Sequence, residues 1–131
     1  MKWSALFLAL FVAQQIPHYS PEGIWESQSG SQYEMRLEGS DLHVKIVPGS
    51  NAKFLQYQVE MKTEGEINSY RGTGFFVAKM DSGKECKFDT EWRIVVVSTN
   101  RIIGVGTNID ADKDTCAIIN KSQSQIDLKK K

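Results

Sequence analysis

Proline, histidine and cysteine are scarce, with 3, 2 and 2 copies in 131 residues. Few prolines and no low-complexity tract exclude collagen-like and linker classes. The histidines and cysteines are too few for a zinc cage built from this chain alone. Neither charge sign prevails: 16 basic residues face 16 acidic ones. No basic stripe is therefore available to neutralise phosphates, and nucleic acid is not expected as a partner. No cysteine lies near residues 13 to 20, so a lipid anchor has no attachment residue. What is present is a 40% hydrophobic fraction, enough for a real core and against disorder. The length fits one domain.

Lys2 precedes an apolar stretch from Trp3 to Ala13, and polarity returns at Gln14 and Gln15. A cation followed by about 7–15 apolar residues is the layout of a secretory signal peptide, and the stretch is too short to span a bilayer. The expected organisation is a signal peptide over 1–15, a flexible lead over 16–22, a folded domain over 23–120 and a polar basic tail over 121–131. The cleavage position stays open between Ala13 and Gln15. A secreted or periplasmic location follows, without a membrane anchor once the signal is removed.

Cys86 and Cys116 fit that compartment, because an even pair in a small exported domain most often forms a disulfide. Such a link closes a loop of about 30 residues, worth about 3–4 kcal/mol in the chain-entropy model. The other reading is a reactive thiol, but neither cysteine has a sequence-near histidine or Cys-x-x-Cys spacing.

Past residue 20 the apolar period is two. Tyr33, Met35 and Leu37 alternate with charged residues, Gly39-Ser40-Asp41 interrupts, and Leu42, Val44 and Ile46 resume. That is a β-hairpin pattern. Leu55, Tyr57, Val59 and Met61 form the next alternation, after the turn cluster Pro48-Gly49-Ser50-Asn51. Tyr70 to Met80 is strand-like with Gly72 and Gly74 inside, as bends or close backbone approach require. Phe88, Trp92, Ile94 and Val96 share a parity, and Val95 and Val97 suggest a strand end buried on both faces. Gly104 and Gly106 interrupt the next strand, and Cys116 to Ile119 reads as the last strand or a short helix. Seven or eight strands predict an all-β antiparallel meander closing into a small barrel, with a sandwich as the other possibility.

Gly23-Ile24-Trp25 at the first strand resembles the calycin group, the lipocalins and avidin-type barrels. The resemblance implies that Trp25 plugs one barrel end and that an arginine on a late strand packs across it. Arg101 is the candidate partner, through a cation–π contact. The chain departs from lipocalins in lacking their late helix, and from avidin in lacking its repeated tryptophans. Ser29-Gly30-Ser31-Gln32-Tyr33 also resembles the loop that periplasmic inhibitors of c-type lysozyme insert into the enzyme, without their second segment.

A hydrolytic triad needs a histidine base. His18 falls in the lead and His43 on the polar phase of its strand, and Ser50-x-x-Lys53 sits in a Pro-Gly turn. No enzyme activity and no cofactor are expected. Asp110, Asp112 and Asp114 have the spacing that opens an EF-hand, but Thr115 and Lys121 break that loop. A solvated acidic turn is the preferred reading, with weak calcium binding as the other. Trp25, Tyr33, Tyr57, Phe76 and Trp92 fall mostly on inward phases. They fill the core of so short a chain, or line an apolar pocket where the inner glycines leave room. The functional expectation is a monomeric, non-enzymatic barrel that takes a small apolar ligand. The alternative is a protein-interaction module, such as a secreted enzyme inhibitor, acting through Ser29 to Ser31.

Overall fold

The computed structural model describes residues 16–131; the expected signal peptide lies outside the described residues. Eight strands follow one another: β1 (Gly23–Ser27), β2 (Gln32–Glu38), β3 (Asp41–Ile46), β4 (Phe54–Thr63), β5 (Ser69–Lys79), β6 (Glu85–Ser98), β7 (Arg101–Ala111) and β8 (Ile118–Lys130). Each pairs antiparallel with the next, and β8 returns to β1 to close a barrel. The all-β meander read from the alternation is therefore the fold.

Alternation makes the core directly, because successive strand residues point to opposite faces. Val44 pairs with Val59 and Leu42 with Met61 across β3 and β4, and all four are buried. Along β6 every second residue from Cys86 to Val96 is buried, including Thr90. Val95 and Val97 stand on the outer face and are more than a third exposed, so the expectation of burial on both faces is corrected. Among the described residues that face stays open to solvent, and a valine pair there fits strand propensity.

Gly72 and Gly74 sit where β5 crosses β4 at closest approach. A Cβ on Gly72 would lie 1.8 Å from the Glu60 carbonyl oxygen, and one on Gly74 1.9 Å from that of Gln58. Their absence of side chains lets the sheet coil tightly enough to close.

Four expectations are overturned. The polar tail over 121–131 is in fact most of β8, which pairs with β7 from Ile118 to Lys129 and with β1 at Leu128, Lys129 and Lys130. Its outer half is exposed on both faces and carries no apolar alternation, which hid it. The barrel therefore extends beyond residue 120, and Cys116 lies in the preceding turn with φ 64° rather than in the last strand. The lead over 16–22 is tied down: Tyr19 N–H donates to Asn68 Oδ1 at 2.8 Å and Asn68 Nδ2 donates to the Pro17 carbonyl at 3.0 Å. Pro21 is fully buried beneath it. Leu55 is exposed, because β4 carries a bulge between Phe54 and Gln56 that shifts the register by one residue.

Candidate functional site

The two ends of the barrel differ. At one end the lead, the β4–β5 loop and the chain terminus meet around Trp25, which has no solvent exposure. Its Nε1 donates to the Pro21 carbonyl at 2.9 Å. Lys130 Nζ stands 5.1 Å from the indole ring centroid and donates to the Glu22 carbonyl at 2.5 Å. Gly23 is required beside it: φ is 127°, and a Cβ there would meet Lys130 Cε at 2.7 Å. Trp25 is buried at this end of the barrel, and the cation over its ring is Lys130. Arg101 is corrected: it sits on the outer face, donating through Nε and Nη2 to Asp127 at 3.2 and 3.0 Å. Gly104 and Ile102 alternate with Arg101 along β7, so strand parity points the guanidinium away from the indole. The ion pair holds the Asp127 carboxyl below its ordinary range.

At the other end, where the β1–β2, β3–β4, β5–β6 and β7–β8 connections gather, a cavity of about 460 Å³ opens into the barrel. That size is typical of small-molecule sites. Tyr33, Tyr57, Phe76 and Trp92 line it, as the inward parity suggested; Trp25, in the opposite end, does not. Phe54 and Phe88 complete the aromatic wall. Phe54 escapes a period-two reading because the bulge at Leu55 turns both Phe54 and Tyr57 inward, with ring centroids 5.3 Å apart and planes at 89°. Tyr57 and Phe76 stack within 14° at 5.1 Å, and Tyr33 meets Trp92 edge-on at 5.3 Å. Gly106 borders the space; a Cβ there would press on Trp92 Nε1 and Ile126 Cδ1 at 3.2 Å.

Polar groups are few and placed. Trp92 Nε1 donates to Tyr57 Oη at 3.0 Å, and Tyr57 Oη lies 3.4 Å from Thr90 Oγ1. Burial pushes the Tyr33 phenol well above its ordinary range and raises that of Tyr57, and both are neutral donors at physiological pH. At the mouth stand Ser27, Ser29, Ser31 and Lys53. Ser31 is buried and accepts from Asn51 Nδ2 at 2.7 Å, so the Ser-Gly-Ser turn is fastened to the β3–β4 loop.

The lip facing β6 has its own construction. Register between β6 and β7 stops at Arg93 and Val105; beyond it Glu91 N–H donates to the Thr107 side chain at 2.9 Å instead of to a backbone carbonyl. The outer β7–β8 hairpin thus leaves β6, and the cavity has Phe88 and Trp92 on one side and Gly106 to Ile109 on the other. The Cys86–Cys116 disulfide, with Cα atoms 5.6 Å apart, fastens the hairpin tip back to the start of β6. Ser82 Oγ donates to the Lys113 carbonyl and Lys84 Nζ to that of Asp114, at 2.5 and 2.9 Å.

The acidic triplet belongs to this tip. Asp112 Oδ1 accepts the backbone N–H groups of Asp114 and Thr115, both at 2.9 Å, which lowers its pKa and makes an Asx turn. Asp110 is on β7, and among the described residues no three acidic, His or Cys side chains cluster to hold a metal. Asp112 and Asp114 thus lie in the turn, with Asp110 on the strand that leads into it. His43 lies outside the barrel, its Nδ1 on Glu60 and its Nε2 3.6 Å from Glu38. No protein-family model matches the chain, and neither a curated protein nor a solved structure matches it.

Proposed function

We propose that this is an exported, calycin-like barrel that binds a small, largely apolar molecule in the cavity at its open end. The carrying observation is the cavity itself: six aromatic side chains face about 460 Å³ of space that a short chain had every reason to fill. The disulfide is compatible with an extracellular or periplasmic location. The reading is of binding: the interior wall is aromatic, the lining holds neither His nor Cys, and Asp127 at its border points to the outer face and pairs with Arg101. An environment-sensitive apolar dye tests it. The folded protein should brighten the dye, and Gly106→Val, which grows a side chain into the space, should dim it. A dye that stays dark with folded wild-type protein sinks the reading.

A further inference from the structure

The cavity is not uniformly greasy, and two of its polar groups lie along one strand. Strand β4 carries Lys53 just before its first residue, then Phe54 and Tyr57, so mouth and interior are separated by about 13 Å of strand. At the inner position Tyr57 Oη has one lone pair taken by Trp92 Nε1, while its own proton has only Thr90 Oγ1 at 3.4 Å, the outer limit of a hydrogen bond. A phenol 8% exposed thus keeps donor capacity inside an aromatic wall. At the outer position no ion pair engages Lys53 among the described residues, whereas Asp127, the other charged residue at the border, points to the outer face and pairs with Arg101. The lining therefore offers one cation at the rim, two buried phenols within, of which Tyr57 has only a 3.4 Å partner for its proton, and flat rings between.

We infer that the ligand of this cavity is a planar aromatic acid, its carboxylate at Lys53 and a second oxygen, hydroxyl or carbonyl, accepting from Tyr57. This rests on the apolar-binding reading and narrows it. A flexible acyl chain brings no acceptor to Tyr57 and would leave its proton with Thr90 Oγ1 at 3.4 Å alone, which a site built around a donor penalises strongly. A ring between Phe54, Tyr57 and Phe76 instead gains edge and face contacts with side chains already held in such geometries.

Calorimetric titration of the full folded chain with four probes decides it: a hydroxynaphthoate, the parent naphthoate, naphthol and dodecanoate. The hydroxynaphthoate is expected to bind about tenfold tighter than naphthoate, as one satisfied buried donor implies. Tyr57→Phe should erase that difference, read as the ratio of the two acids' affinities within the variant. Lys53→Gln, on an exposed side chain that the fold does not use, should weaken both acids roughly tenfold and leave naphthol untouched. If dodecanoate or naphthol matches the hydroxynaphthoate, or Lys53→Gln is silent, the aromatic-acid assignment is overturned while the apolar cavity stands. If no probe binds and the apolar dye is dark as well, both fall.

Discussion

Lys130 lies over Trp25, its Nζ 5.1 Å from the ring centroid, and so the last strand seals the end of the barrel that the first strand begins. The same lysine reaches the Glu22 carbonyl. Replacing it by alanine removes a cation–π contact and a charge-assisted hydrogen bond, a loss of about 1 kcal/mol. For a chain of this size that lowers Tm by roughly 4 °C. Lys130→Met, which keeps the stem, should lose less. Arg101→Ala breaks only an exposed ion pair with Asp127 and should shift Tm least of the three. Thermal melts of the three variants check the order, and a larger drop for Arg101→Ala contradicts the assignment.

The Cys86–Cys116 bond spans a sequence separation of 30. Constraint of the unfolded chain by such a loop is worth about 3–4 kcal/mol in the chain-entropy model. The Cys86→Ser, Cys116→Ser double variant should therefore unfold at markedly lower urea, with an unchanged fold by circular dichroism. Its second effect is local. β6 and β7 are out of register near the cavity, so the hairpin tip depends on the disulfide and two side-chain-to-carbonyl bonds. Exchange of amide hydrogens over Thr107 to Ser122 should accelerate in the double variant more than over β3 and β4. Uniform acceleration across the barrel would show that the bond acts on global stability alone.

Where one face of a strand is buried and the other wet, the pattern in the chain specifies the structure; this holds for β2, β3 and β6. It fails where that contrast is absent. After Ile118 and Ile119 the outer half of β8, through Ser122 and Gln123, meets water on both faces, so nothing marks its continuation as a strand until Ile126 and Leu128. It fails again at Leu55, where a single bulged residue reverses the parity and moves Phe54 into the cavity wall. Tyr33, Tyr57, Phe76 and Trp92 were legible because they lie on regular stretches. Lys130 was hidden for a different reason: its role depends on the ring closing, a contact 105 residues distant in sequence from Trp25 that no local pattern encodes.

The inner glycines divide into two kinds. Gly72→Ala and Gly74→Ala place a methyl within 2 Å of backbone carbonyl oxygen on β4, which cannot yield without parting the strands. Each should cost about 3 kcal/mol or more, the upper range for overpacking. Gly106→Ala meets side chains only, Trp92 and Ile126 at 3.2 Å, which can give by a few tenths of an ångström. Stability should then change little while dye affinity falls. Urea titration and dye binding on the same three variants separate the cases; equal destabilisation by all three would refute the distinction.

Tyr33 and Tyr57 set the alkaline limit. Burial raises both phenols, for Tyr33 with a further contribution from Tyr57, so the folded chain keeps them neutral where the unfolded chain ionises near 10. A raised folded pKa gives a contribution that is complete below the unfolded value and disappears as pH climbs through the folded value. Tm should therefore fall from about pH 10 upward, more steeply for the wild type than for Tyr33→Phe, which has one fewer buried phenol. The phenols also report on themselves. Tyrosinate absorbance from these two should appear together with loss of the β-sheet dichroism and not before it, since ionisation within the aromatic wall would place an unpaired charge among Phe54, Phe76 and Trp92. Complete tyrosine ionisation in a protein that still gives its native dichroism would mean that the cavity admits enough water to solvate a phenolate. The interior would then be too wet for its Tyr57 donor to discriminate between ligands.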